Sequence, residues 1–323
     1  MPISIGKLRR IQQCSTPDNV FVVLALDHRD ELRQALKPIE PDSLSYGEMA
    51  AFKSEVMRVL APICSAILLD PEYGAAQAIA GGTLSGTTGL LVTVEAAGYV
   101  GEATDRRNEL LPGWDVAKVA RMGASAVKMR LYYHPEARHA SKQEALVDEV
   151  AAACREREIP FFLEPVPYSL DRKSAELPAG DKRAVVIESA RRLSGRGIDV
   201  LKSDFPLDTE AEPRRGEWEA ACRELSEASA VPWVLRSGGA SYREFRIQTE
   251  IACRCGAGGV VAGRAVWQEA TDRRDGSLAE FLENTAVDRM VELSDIIAEH
   301  AMPWTRYFPS PVEDISESWY EQY

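Results

Sequence analysis

The sequence is poor in the features that place a protein across a membrane or outside the cell. Among its 323 residues, no apolar run approaches the roughly 20 residues that a membrane-spanning helix needs. The first residues, Met-Pro-Ile-Ser-Ile-Gly-Lys, contain no apolar core of a secretory signal. Its six cysteines are scattered along the chain, which is usual for reduced thiols. We therefore expect a soluble, cytoplasmic protein.

Metal-ligand patterns are also scarce. The nearest cysteines, Cys253 and Cys255, are separated by one residue, and no second cysteine or histidine pair lies near them in the sequence. A structural zinc site is usually built from two such pairs. We predict that the protein uses no metal and no cofactor.

Positive charge is in deficit. Lys and Arg number 38 against 50 Asp and Glu, and the formal net charge is -12. Nucleic acids and anionic membranes are bound through clustered cations, so we expect neither as a partner. A small anionic substrate remains compatible with this charge, because a few cations inside one pocket can bind a phosphate.

What the sequence does contain is a repeated alternation of short apolar runs with charged helical stretches. The runs lack polar alternation, which is typical of parallel strands covered on both faces. The predicted strands are residues 21–27, 66–70, 89–95, 126–132, 160–164, 200–204, 233–237 and 259–264, and the predicted helices are residues 45–60, 114–122, 142–158, 183–195, 215–230 and 241–255. Eight such strands predict a (β/α)8 TIM barrel, an α/β fold, in one domain over residues 1–302 with an acidic and aromatic tail over residues 303–323. A doubly wound open sheet is the alternative, but no Gly-x-Gly-x-x-Gly turn follows the first strand.

Most of these predicted strands end on an ionisable or phosphate-compatible group. These groups are Asp27, Asp70, Glu95, Lys128, Glu164, Lys202, Ser237 with Gly238 and Gly239, and Arg264. The carboxyl ends of barrel strands converge, and barrel enzymes build their active sites there. The list is therefore a candidate site.

Two lysines in this set are the candidates for Schiff-base chemistry. Lys128 and Lys202 lie within apolar strands, so each is expected to point into the barrel mouth. Burial beside another cation lowers the pKa of an amine and yields the neutral nucleophile that Schiff-base formation requires. Glu164 ends the strand between them and is the candidate general acid and base. The alternative is a structural ion pair in which Glu164 or Asp204 holds one lysine.

The last two strands are followed by small residues. Ser237, Gly238 and Gly239 follow the seventh, and Gly263 with Arg264 follows the eighth. Exposed backbone N–H groups and one guanidinium predict a phosphate-binding cradle.

At these residues the sequence resembles the class I tagatose 1,6-bisphosphate aldolases and the related sulfofructosephosphate aldolases, from about residue 20 to residue 267. The matching segments are Leu-Ala-Leu-Asp-His-Arg (24–29), Ile-Leu-Leu-Asp-Pro-Glu-Tyr-Gly (67–74), Ala-Val-Lys-Met-Arg-Leu-Tyr-Tyr (126–133), Pro-Phe-Phe-Leu-Glu-Pro (160–165), Asp-Val-Leu-Lys (199–202) and Ala-Gly-Arg-Ala-Val-Trp (262–267). Four positions depart from the usual sequence of the family: Ser203, Asp204, Arg236 and His28.

The resemblance implies a role for each site residue. Lys202 forms the Schiff base and Glu164 transfers protons. Asp27 and Lys128 handle substrate hydroxyls and tune the nucleophile. Ser237, Gly239 and Arg264 bind the anion at C1, and Arg29 and Lys53 bind the distal anion.

The implied function is cleavage of a ketose 1,6-bisphosphate, such as tagatose 1,6-bisphosphate, to dihydroxyacetone phosphate and glyceraldehyde 3-phosphate. One alternative is a sulfofructosephosphate aldolase that gives dihydroxyacetone phosphate and sulfolactaldehyde. Another is a non-catalytic barrel that binds a sugar phosphate. A zinc-dependent aldolase needs several histidines at strand ends, whereas only His28 and His134 lie near one. Barrels of this kind often associate, so a homo-oligomer is one state left open.

Overall fold

The computed structural model describes residues 3–172, 177–274, 276–321 and 323. Its parallel strands pair in sequence order and close into a barrel, with the last strand beside the first, which confirms the predicted fold. The strands are β1 (Phe21–Leu26), β2 (Ala66–Leu69), β3 (Gly89–Thr93), β4 (Ala126–Tyr132), β5 (Phe161–Val166), β6 (Val200–Ser203), β7 (Trp233–Arg236) and β8 (Gly259–Ala262).

Helices form the layer around the barrel. They are α1 (Ile5–Cys14), α2 (Asp30–Leu36), α3 (Tyr46–Leu60), α4 (Ala75–Ala80), α5 (Val116–Arg121), α6 (Ala140–Glu156), α7 (Ala179–Leu193), α8 (Arg215–Ala228), α9 (Tyr242–Arg254), α10 (Arg264–Trp267), α11 (Gly276–Glu280) and α12 (Val287–His300). Arg264 was expected to end the last strand, but β8 stops at Ala262 and Arg264 is the first residue of α10. Within the described ranges, no helix is both long and apolar enough to cross a membrane.

Barrel closure depends on a glycine. Gly259 pairs with Phe21 where β8 meets β1, and its φ is +132°. A Cβ atom at this position would lie 2.0 Å from the Phe21 carbonyl oxygen. Only glycine allows the two backbones to approach this closely.

The inside of the barrel is divided into an apolar lower part and a charged upper part. Inward-facing apolar side chains from the strands, among them Phe21 and Phe162, form one buried cluster with Trp304 and residues of α1. Because side chains alternate along a strand, the residues two positions further on face the same interior. On β5 that residue is Glu164, and on β6 Lys202 follows Val200 in the same way. The apolar part therefore forms the floor on which the charged groups stand.

Candidate active site

The charged upper part of the barrel opens into a pocket at the carboxyl ends of the strands. The pocket is lined by residues of six strands and the segments that follow them: Ala25, Asp27, His28, Glu31, Arg130, Tyr132, Glu164, Val166, Lys202, Arg236, Ser237, Gly238, Val261, Gly263 and Arg264. Most of the predicted site residues therefore line one pocket: Asp27, Glu164, Lys202, Ser237, Gly238, Gly263 and Arg264.

Lys128 lies at the base of this site and is fully buried. Its ammonium nitrogen contacts three carboxylates, at 2.7 Å (Asp27 Oδ2), 3.0 Å (Glu95 Oε1) and 2.7 Å (Glu164 Oε2). Burial opposes its charge, but these carboxylates outweigh burial and raise the pKa of Lys128 above the ordinary value of a lysine. Lys128 is therefore a fixed cation at pH 7.

Lys202 has a different environment. Its side chain is almost completely buried, and its Nζ atom lies 3.0 Å from Glu164 Oε1. Burial lowers the pKa of the Lys202 amine below its ordinary value; Glu164 opposes this shift, and the positive charge of Lys128 adds to it. The amine that faces the pocket is the one that loses its proton more readily.

The two site carboxylates are ionised. Burial alone would raise the pKa of Glu164 and of Asp27, but the nearby lysines lower both far below the usual carboxyl range. Asp27 keeps one oxygen, Oδ1, buried and without a hydrogen-bond partner among the described residues. That oxygen is available to a hydroxyl group of a bound molecule.

The predicted phosphate cradle follows β7 and β8 and lines the same pocket. Gly238 and Gly239 have φ values of +57° and +94°, so the turn after β7 takes a conformation that favours glycine. The Gly263 backbone N–H donates to Ser237 Oγ at 3.4 Å and ties the turn to the end of β8. Arg264 follows, partly buried, on the same wall.

The two residues expected at the distal anion, Arg29 and Lys53, do not line this pocket. Arg29 donates to Glu72 Oε2 at 2.7 Å and to the Glu95 carbonyl oxygen at 2.8 Å, beside a smaller cleft that it shares with Asp27. Lys53 is fully buried and forms an ion pair with Asp70. Lys53 does not line the pocket, because it belongs to the buried face of α3.

Several residues of the pocket were not among the predicted site residues. Arg130 follows Lys128 by two positions on β4, so strand alternation turns it toward the same interior. It contacts Glu31 Oε1 at 3.0 Å and lies 3.9 Å from Glu164 Oε2. Alternation along β4 was the sequence signal that could have identified Arg130.

Arg236 is the second such residue. Its Nε atom lies 2.9 Å from Asp204 Oδ1, and its Nη1 atom lies 3.4 Å from Glu164 Oε1. In the sequence it stands out only as an arginine that departs from the family pattern at the end of β7. The structure puts this guanidinium directly beside the carboxylate that contacts Lys202.

His28 also lines the pocket. Its ring packs edge-on against Trp267, with centroids 5.2 Å apart. Burial lowers the pKa of His28 to about 3; Asp27 opposes the shift, and the charge of Arg264 adds to it. The imidazole is therefore neutral at physiological pH. Among the described residues, no group of three or more His, Cys, Asp or Glu side chains is arranged to hold a metal ion.

Comparison of the sequence with known proteins identifies relatives over almost the whole chain. The family model described as DeoC/LacD family aldolase matches residues 21–269. The chain is 30% identical to tagatose 1,6-diphosphate aldolase 2 of Enterococcus faecalis (strain ATCC 700802 / V583), with 94% of this chain and 97% of the relative covered. It is 28% identical to the protein of the same name from Streptococcus agalactiae serotype III (strain NEM316), with 94% and 99% covered.

Comparison of the structure gives the same architecture. The barrel is similar to that of a Schiff base-forming fructose-1,6-bisphosphate aldolase, with a TM-score of 0.60. The two chains are 16% identical, and 90% of this chain and 99% of that chain are covered. At this identity the likeness concerns the fold.

Proposed function

This chain belongs to the DeoC/LacD family of aldolases, which are lyases, and on that premise we propose that it is a class I aldolase that cleaves a ketose 1,6-bisphosphate such as tagatose 1,6-bisphosphate. The proposed products are dihydroxyacetone phosphate and glyceraldehyde 3-phosphate. The observation that carries the proposal is the buried Lys202 amine, whose pKa is lowered and whose Nζ atom lies 3.0 Å from Glu164 Oε1. The names of the two bacterial relatives support the choice of substrate.

The proposed reaction begins at Lys202. Its neutral amine adds to the C2 carbonyl carbon of the ketose, and loss of water gives a protonated imine. A base removes the proton of the C4 hydroxyl group, the C3–C4 bond breaks, and its electron pair moves to the imine nitrogen to form an enamine. The aldehyde leaves, C3 takes up a proton, and water hydrolyses the imine to release dihydroxyacetone phosphate.

We assign the proton transfers to Glu164. One of its oxygens is already at hydrogen-bond distance from the amine of Lys202, so a substrate carried on that amine lies within its reach. Asp27 offers an unpartnered carboxylate oxygen to a substrate hydroxyl. Lys128 keeps both carboxylates ionised before substrate binds.

The phosphate at C1 is assigned to Ser237, Gly238, Gly239, Gly263 and Arg264. Backbone N–H groups of a glycine turn and a guanidinium are the donors that phosphates bind in barrels of this kind. The second phosphate is left to the remaining cations of the pocket. We also propose that the enzyme works in a reducing compartment, the cytoplasm, because its six cysteines are free thiols.

The test is reductive trapping. The wild-type protein and Lys202→Ala are incubated with dihydroxyacetone phosphate and sodium borohydride, and the products are analysed by intact mass and peptide mapping. We expect one adduct, on Lys202, that is absent from the variant. No adduct under conditions that trap a known class I aldolase would exclude the Schiff-base mechanism and favour a non-catalytic sugar-phosphate-binding barrel.

The substrate is tested separately by measuring aldehyde release from tagatose 1,6-bisphosphate, fructose 1,6-bisphosphate and sulfofructose 1-phosphate. We expect the largest kcat/KM for tagatose 1,6-bisphosphate. A larger value for the sulfonated ketose reassigns the distal anion from phosphate to sulfonate while leaving the Lys202 chemistry in place.

A further inference from the structure

Two clefts meet at Arg236. The first is the candidate active site, and the second lies beside it, between the ends of β6 and β7 and helix α9. Both clefts are lined by Arg236, Ser237 and Gly238. The second cleft is also lined by Asp204, so the ion pair between Asp204 and Arg236 stands at the border between the two.

The Asp204 carboxylate occupies space beside the glycine turn. Its Oδ1 atom forms an ion pair with Arg236 Nε at 2.9 Å, and the side chains of Asp204 and Arg236 are 13% and 16% exposed. A Cβ atom added to Gly238 would lie 3.0 Å from the same oxygen. A negative charge of the protein therefore lies against the turn that we assign to the substrate phosphate.

Of the two arginines beside this turn, Arg236 is paired with Asp204 and Glu164. Arg264 lies on the same pocket wall, and among the described residues no hydrogen bond or ion pair joins its guanidinium to a carboxylate. Burial lowers the pKa of Arg264; Glu31 opposes the shift, and the positive charge of Arg236 adds to it. Two guanidinium groups that line one pocket and repel each other favour the binding of an anion there.

We propose that Arg236 binds the phosphate of the substrate and that Asp204 is its counter-ion in the empty enzyme, so that Asp204 competes with the phosphate for Arg236. This inference rests on the proposed function, because it takes the phosphate of a ketose phosphate as the ligand. Asp204 keeps Arg236 compensated and in place before binding, and it weakens binding because its charge must separate from Arg236 or remain beside a second anion.

Two substitutions have opposite expected effects. Asp204→Asn removes the competing charge and keeps the size of the side chain, so the affinity for phosphate rises by roughly three- to ten-fold, about the strength of one ion pair. Arg236→Gln removes the cation and weakens phosphate binding by at least a similar factor. In the double variant the Asp204 substitution has little effect, because its charge no longer has Arg236 to compete for.

The first measurement is calorimetric titration of the full chain with inorganic phosphate. The matched control is Asp208→Asn, which removes one negative charge from the same second cleft; Asp208 caps the backbone N–H groups of Glu210 and Ala211 and forms no ion pair with Arg236. We expect the control to bind phosphate as the wild type does. If the two asparagine variants strengthen binding equally, the effect is one of general charge and the proposal is wrong.

The second measurement compares two ketones in borohydride trapping. Dihydroxyacetone phosphate carries the phosphate, and dihydroxyacetone does not. Asp204→Asn lowers the half-saturating concentration of the phosphorylated ketone only. Arg236→Gln raises it more for that ketone than for dihydroxyacetone, because Arg236 also lowers the pKa of Lys202, an effect that both ketones share. Equal changes for both ketones, or weaker phosphate binding by Asp204→Asn, overturn the proposal.

The two proposals fail in distinguishable ways. If no ketone is trapped on Lys202, the Schiff-base function fails, while the phosphate titration still decides the role of Asp204. If neither the wild type nor Asp204→Asn binds phosphate, the role of Arg236 is refuted whether or not an adduct forms. Asp204→Ser carries the same expectation as Asp204→Asn and serves where the asparagine variant does not fold.

Discussion

Lys128 and Lys202 contact different oxygens of one carboxylate: the first lies 2.7 Å from Glu164 Oε2 and the second lies 3.0 Å from Glu164 Oε1. Their pKa values nevertheless shift in opposite directions, because Lys128 has two further carboxylates and Lys202 faces the pocket. Although both contact Glu164, Lys128 thus stays a permanent cation, whereas Lys202 can lose its proton and act as the nucleophile.

This arrangement predicts the pH dependence of adduct formation. The pKa of Lys202 is lowered, so the neutral amine appears, and the rate of borohydride trapping reaches its plateau, at a lower pH than for an ordinary lysine. Lys128→Met removes a positive neighbour and raises the pKa of Lys202, so the rising limb moves to higher pH. Lys7→Met is the control, since Lys7 is a buried lysine paired with Asp199 outside the pocket, and its curve should coincide with that of the wild type.

Glu164→Gln should separate adduct formation from turnover. We expect kcat for ketose cleavage to fall by roughly 10² to 10⁴, the usual contribution of a general acid and base. The adduct on Lys202 still forms at neutral pH, because Glu164 raises the pKa of that amine and its loss lowers it. Wild-type turnover by this variant would assign the proton transfers to another group.

His28 should not titrate near neutrality. Its pKa of about 3 keeps the ring neutral between pH 5 and pH 8, in contrast to a solvent-exposed histidine. The measurement is the chemical shift of the imidazole signals against pH, with His28→Gln to assign the signal among four histidines. A midpoint near pH 6.5 contradicts the buried, uncharged ring.

Substitution of Lys53 distinguishes a role in stability from a role in binding the distal anion. Lys53 and Asp70 are both fully buried, so Lys53→Met leaves a carboxylate without its partner and lowers the free energy of unfolding by about 3–5 kcal/mol. The double variant Lys53→Met with Asp70→Asn should recover part of that loss in urea denaturation. An unchanged stability combined with a raised KM for the bisphosphate would support the predicted role of Lys53 in distal anion binding.

The fold and the main charged residues could be predicted because they depend on local patterns. Apolar runs without alternation indicated buried parallel strands, and the convergence of their ends brought Asp27, Glu164 and Lys202 into one pocket. The burial of Lys53 in the core could not be inferred from the family resemblance. It follows Met49 by four residues and precedes Met57 by four, so the helical period itself turns it into the core.

Other parts of the structure depend on tertiary contacts. The sequence patterns did not predict α1, α2, α4, α10, α11 or α12. Helix α1 mixes charged with apolar residues, and α4 is only 6 residues long. Their positions depend on the barrel that they cover. The pairing of Arg236 with Asp204 likewise joins the ends of two strands, and no local pattern in the sequence specifies it.

The segment after residue 302 contributes to the barrel floor through Trp304. Its side chain is 2% exposed, packs with the interior cluster and donates from Nε1 to Ser15 Oγ at 3.1 Å. Trp304→Ala should lower the free energy of unfolding by about 3–5 kcal/mol. Tyr320→Ala, at a residue that is 64% exposed, should change it by less than about 0.5 kcal/mol. Equal losses in the two variants would contradict a specific role for Trp304.

The pairing of Phe21 with Gly259 also has a consequence for biosynthesis. The first strand leaves the ribosome early, but its partner on one side is among the last strands to be made. Until then one edge of β1 is unpaired and the apolar interior is open to water, which is the state most prone to aggregation. Closure requires contacts between distant parts of the chain, and such contacts form slowly. The edge of β1 therefore stays unpaired in the nascent chain until residue 259 and the strand that it begins have emerged.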